Sequence, residues 1–80
     1  MIFEHLRFVE LEPNPKTKRF SVESLFDGSE MGVIEWYGRW RCYCFTPSSE
    51  PRVWSWACLK ELSDFIKMIM DARKRQENEF

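Results

Sequence analysis

Eighty residues bound the chain to one small domain with a marginal core, since a domain near this size buries only about 60% of the surface its unfolded form exposes. Twelve basic and 13 acidic residues leave a net charge of −1, which supplies no global field toward nucleic acid or an anionic membrane. The longest apolar runs fall far short of the roughly 20 residues a transmembrane helix needs, and the acidic residues within "MIFEHLRFVELEP" argue against a signal peptide.

Ile2 to Leu11 opens the chain as an apolar-rich segment. Leu6 and Phe8 alternate with Arg7 and Val9 as in a strand, whereas Ile2, Leu6 and Val9 would also share a helix face; the strand is the preferred reading. "PNPK", Pro13 to Lys16, ends it, because proline lacks the amide a sheet ladder requires. "TKRFSVESLF" then alternates, with Phe20, Val22 and Ser24 on one face and Ser21, Glu23 and Leu25 on the other. Asp27-Gly28 in "DGSE" is a reversal signal. Met31 to Trp36 predicts the next strand, Tyr37-Gly38-Arg39 a second reversal, and Trp40 to Phe45 the returning strand. Thr46 to Pro51 reads as a polar loop, and Val53 and Trp54 as a short extended piece.

From Ser55 the period becomes helical. The Ser55 hydroxyl can cap the first turn. Cys58, Leu59, Leu62, Phe65, Ile66, Ile69 and Met70 form an apolar stripe at i, i+3, i+4 and i+7 spacing. Lys60, Asp64, Lys67, Asp71 and Lys74 take the other side, with Asp71 and Arg75 spaced for an ion pair. Arg73, Lys74 and Arg75 complement the helix dipole. A helix over about 55–73 is expected, with Leu59, Leu62, Phe65, Ile66 and Ile69 buried, and "QENEF" as a frayed polar tail.

These elements predict one α+β domain over residues 1–80. An antiparallel β-meander of three to four strands carries one C-terminal amphipathic helix packed across one face. The other face is left to solvent or a partner.

The stretch "VIEWYGRWRCYCF", Val33 to Phe45, holds five aromatic rings and two cysteines. Its register turns on loop length, since one residue of slip exchanges the two faces. An odd loop groups Ile34 with Trp40, Cys42 and Cys44 and leaves Glu35 near Arg41. An even loop groups Ile34 and Trp36 with Arg41, Tyr43 and Phe45. Charge segregation favours the odd loop; aromatic mass favours the even one. With either, rings lie on both faces and one helix cannot cover them all.

Four chemistries can be weighed on these residues. Trp36, Arg39, Trp40, Arg41 and Tyr43 could stack bases and pair phosphates, but the charge balance argues against a large phosphate footprint. Cys42, Cys44, Cys58 and His5 could total four zinc ligands, yet Cys-x-Cys within a strand is not knuckle spacing, and cysteine is commonly a small buried apolar residue. The three cysteines are expected to be reduced, metal-free thiols of a cytoplasmic protein. His5 is the only histidine and reads as a surface residue; Glu4, Glu10, Glu12 and Glu23 show no pairing, so no enzyme and no cofactor are expected. Protein binding remains. Trp36, Tyr37, Arg39, Trp40 and Arg41 are of the types that dominate interface energetics, and they mark the expected site for a protein partner or for a second copy in a symmetric dimer. A nucleic-acid-binding domain using the same hairpin is the runner-up.

"IEWYGRWRCYCFTP" followed by "WSWACLKELSDFI" also resembles small proteins of bacteriophages, prophages and other mobile elements. These carry W-Y-x-x-W-R-x-Y-x-F-x-P and then a helix opening with C-L-x-E. Trp36, Tyr37, Trp40, Arg41, Tyr43, Phe45 and Pro47 match the first part; Cys58, Leu59 and Glu61 match the second. The resemblance spans about Gly32 to Ile66. It implies a genomic setting and a fold rather than an activity, and that setting suggests a protein that binds and blocks a host protein.

Overall fold

A computed structural model describes residues 1–11, 17–48 and 53–78. Four strands, β1 (Leu6–Glu10), β2 (Phe20–Ser24), β3 (Glu30–Tyr37) and β4 (Cys42–Pro47), precede one helix, α1 (Trp56–Asn78). The strands form an antiparallel meander in the order β1-β2-β3-β4. This is the α+β architecture expected from the patterning. Among the described residues no helix is long and apolar enough to cross a membrane. The Pro13–Lys16 break lies outside the described residues, as do residues 49–51 of the expected 46–51 loop, whose first two residues, Thr46 and Pro47, belong to β4.

Register assigns the faces. Phe8 stands opposite Val22, Val22 opposite Gly32, Phe20 opposite Ile34, Ile34 opposite Phe45 and Trp36 opposite Tyr43. Side chains on one face of a pleated sheet recur every second residue, so these all point toward α1. The core is Leu6, Phe8, Phe20, Val22, Met31, Ile34 and Tyr43 from the sheet with Leu62 and Phe65 from the helix. Phe65 is its centre. Its ring stacks on Phe8 at 4.0 Å and meets Phe20 edge-to-face at 5.0 Å. Such aromatic pairs add about 0.5–1.5 kcal/mol beyond the area they bury.

The helix begins where its cap signal lies. Ser55 Oγ accepts the Cys58 N–H at 3.2 Å, and the Ser55 carbonyl accepts the Leu59 N–H. It runs on to Asn78, beyond the expected end near Arg73. Its N-terminal half lies on β1, through Glu61 and Phe65; its C-terminal half reaches β3 and β4, where the Tyr43 N–H meets Met70 Sδ at 3.5 Å. Leu59, expected in the core, is 51% exposed. Glu61 is buried in its stead, because backbone amides of the β1 entry need a carboxylate there, and holding it turns Leu59 outward. Asp71 pairs with Lys67 at 3.8 Å rather than with Arg75.

The N-terminal segment is shorter as a strand than Ile2 to Leu11 suggests. Residues before Leu6 fold back along β1. Ile2 bridges Arg7, the Phe8 N–H reaches the Met1 carbonyl at 2.8 Å, and the Phe3 N–H reaches the Leu6 carbonyl. The Phe3 ring is thereby placed 5.4 Å from Phe8. The Asp27-Gly28 turn forms as its chemistry dictates. Gly28 takes a φ of 75°, and Asp27 Oδ1 accepts the Ser29 N–H at 2.9 Å.

The β3–β4 hairpin corrects the register that charge segregation favours. Tyr37 pairs with Cys42, so the loop is the four residues Gly38 to Arg41, an even number. Trp36, Tyr43 and Phe45 therefore lie beneath the helix, while Cys42 and Cys44 face away from it. Burying three rings outweighs keeping Glu35 beside Arg41. Glu35 finds a cation regardless, Arg19 at 3.2 Å on the open face. Trp40 and Arg41, expected in the returning strand, belong to the loop.

Candidate interaction site at the hairpin end

The five residues singled out from sequence divide between two environments. Trp36 is half-buried on the helix side. Its indole meets Tyr43 edge-to-face at 5.3 Å and carries the Arg73 guanidinium over its ring at 4.0 Å. Tyr43 is itself fixed, because its hydroxyl accepts the Lys18 N–H at 3.1 Å. Trp36 thus links the sheet to the end of the helix.

Tyr37, Arg39, Trp40 and Arg41 are exposed around the loop. The Trp40 N–H donates to the Tyr37 carbonyl at 3.2 Å, closing the reversal. The two rings meet edge-to-face at 5.1 Å, with Trp40 72% exposed. The positive φ that ends the loop falls on Arg41, at 53°, and not on Gly38. A left-handed backbone at a residue with a β-carbon costs about 1–2 kcal/mol.

From the sequence, Arg73 and Lys74 are expected at the negative end of the helix dipole, with Lys74 on the side away from the apolar stripe. The structure brings both to the hairpin. Trp36, Arg41, Met70, Arg73 and Lys74 line a cleft of about 250 Å³ between loop and helix. The signal was present in the spacing. Phe65, Ile69 and Arg73 are four residues apart and share one helix face, which here continues past the core to Trp36.

The residues considered as zinc ligands are split. Cys42 and Cys44 sit on the open face with their sulfurs 3.7 Å apart. Cys58 packs against the core under α1, and none of the three is in a disulfide. Partial burial, and then the Cys42 thiol beside it, pushes the Cys44 thiol above its ordinary value. Among the described residues no three His, Cys, Asp or Glu side chains converge on a metal position. His5 is exposed, as expected, but its side chain is engaged. Its ring Nδ1 pairs with one oxygen of Glu61, and its backbone N–H donates to the other at 3.0 Å. Glu61 is pulled both ways: partial burial favours its neutral form, but the His5 and Leu6 amides and the His5 ring outweigh that and hold it below the usual carboxylate range.

A second concavity lies at the opposite end of the molecule. It is a groove of about 490 Å³ lined chiefly by Leu6, Leu25, Phe26, Met31, Val53 and Cys58.

No protein-family model matches the chain, and no solved structure is significantly similar to it. It is 35% identical over 78 residues to the "Uncharacterized 9.3 kDa protein" of Acholeplasma phage L2, across 90% of this chain and 92% of that protein. A similarity covering nearly the whole of both chains places this protein in the family of small phage proteins to which that 9.3 kDa protein belongs.

Proposed function

We propose that this phage-type protein is a non-catalytic protein-interaction module that engages a protein partner through the hairpin end, and that it acts by obstructing a host protein. The observation that carries this reading is the Tyr37–Trp40 pair. Two rings are held edge-to-face at 5.1 Å in water, with Arg39 and Arg41 beside them. Neither ring belongs to the core, so folding does not account for their presence. A braced aromatic pair loses little side-chain freedom on binding, which makes such groups effective anchors at interfaces. A second copy of the chain is the other occupant to be tested. The nucleic-acid reading is less favoured, because a chain of net charge −1 offers few cations to a phosphate backbone.

The test is Trp40→Ala and Tyr37→Ala in the full chain. The expected result is unchanged thermal stability with loss of a specific host protein from a pull-down that survives moderate salt, or loss of a dimer mass in solution. Retention of both by both variants would refute the reading.

A further inference from the structure

The net charge of −1 hides a separation of charge along the molecule. Arg7, Lys18, Arg19, Lys60 and Lys67 each face a carboxylate: Glu23, Glu10, Glu35, Asp64 and Asp71 respectively. Arg39, Arg41, Lys74 and Arg75 have no acidic partner among the described residues. All four lie at the hairpin or on the last turns of the helix. Two of them, Arg41 and Lys74, join Arg73 in lining the cleft over Trp36, and among the described residues no acidic side chain lines it.

Arg41 is the most informative member. It occupies the one left-handed position of the loop, where glycine would be free of strain, although Gly38 lies only three residues earlier. A left-handed backbone is carried here by a charged side chain at the rim of a cleft, and residues held in such conformations cluster at functional sites. Arg73 adds a guanidinium whose plane is set by the Trp36 ring at 4.0 Å.

We infer that this cleft receives a carboxylate side chain of the protein partner, so that the partner presents an acidic segment to the hairpin end. The inference rests on the interaction reading above and names the chemistry of that partner. The Arg41 guanidinium fork matches a carboxylate in two parallel hydrogen bonds, and Lys74 adds a point charge beside it. The few cations here would neutralise few phosphates, and nucleic-acid affinity rises with the number neutralised. Trp40 and Tyr37 then supply apolar contact to the residues flanking the acid.

The experiment measures fluorescence anisotropy of three probes with the full chain: a short peptide alternating glutamate and leucine, the same peptide with glutamine for glutamate, and a single-stranded oligothymidine of similar length. The glutamate peptide should bind at least about tenfold more tightly than the glutamine peptide, a difference of about 1.4 kcal/mol. Arg41→Gly and Lys74→Gln should each abolish that preference. Thermal unfolding of Arg41→Gly, expected to be no less stable than the wild type, separates loss of binding from loss of fold, and Lys74→Gln reports from the helix, away from the loop. Equal affinity for the two peptides overturns the proposal, as does tighter binding of oligothymidine than of the glutamate peptide. If Trp40→Ala loses the host protein but Arg41→Gly and Lys74→Gln keep it, the cleft assignment fails and the interaction reading stands. If the glutamate preference holds while Trp40→Ala and Tyr37→Ala leave host-protein capture and solution mass unchanged, the cleft stands and the hairpin reading fails.

Discussion

The Glu61 carboxylate accepts the backbone N–H of Leu6 at 3.2 Å, across a sequence separation of 55 residues. The same oxygen takes the His5 N–H at 3.0 Å, and the second oxygen pairs with the His5 ring. One helix side chain therefore satisfies two amides that the fold-back of the N-terminal segment leaves without strand partners. Glu61→Ala should destabilise the protein by about 1–3 kcal/mol, the cost of leaving a buried donor unsatisfied. Glu61→Gln, which keeps an acceptor, should cost less. Denaturant unfolding of the two variants checks both the size and the order.

Acid should weaken the same contact. Partial burial raises the Glu61 carboxyl, the amides of His5 and Leu6 and the His5 ring lower it, and the net value is below the ordinary one. A group whose proton affinity falls on folding stabilises the folded state when ionised. That stability is fully present above the ordinary carboxylate range and is lost as pH falls through the lowered Glu61 value. The melting temperature of the wild type should accordingly drop more steeply on acidification than that of Glu61→Gln. Parallel profiles would remove Glu61 from the account.

Arg41→Gly should stabilise the domain by about 1 kcal/mol, because glycine adopts a φ of 53° without the clash a β-carbon suffers. Thermal unfolding checks this directly. Lower stability in the variant would show that the Arg41 side chain contributes contacts to the folded hairpin larger than the strain it carries.

Gly32→Ala should act in the opposite sense. Gly32 pairs with Val22 on β2 and with Pro47 on β4, beneath the ring of Phe45, and a β-carbon there would overlap both that ring and the Thr46 carbonyl. Phe45 is held in turn by Trp54 at 5.2 Å, so it has little room to withdraw. A cost of about 1–3 kcal/mol is expected from such overpacking, read as a shift in the denaturant midpoint.

Leu62→Asp should abolish cooperative unfolding. Leu62 is buried beside Phe65 in the layer between helix and sheet, and an unpaired carboxylate there has no compensating partner. A soluble variant with a sharp thermal transition would count against the two-layer packing.

Local chemistry decided the kind of each element. The alternation of Phe20 and Val22, the Asp27-Gly28 turn, the Ser55 cap and the period of Leu62, Phe65 and Ile69 each act within a few residues, so β-β-β-β-α order and the start of the helix were legible without the fold. What a residue meets across the molecule was not. The parity of the hairpin loop depended on which ring set the helix could cover and on Arg41 accepting a left-handed backbone. The exposure of Leu59 depended on Glu61 answering two amides some 55 positions away. The cleft depended on a helix long enough to carry Arg73 and Lys74 back over Trp36. Each is a competition between contacts distant in sequence. Periodicity records that a residue is apolar or charged, whereas only the packed structure determines which of several eligible residues takes the one place available.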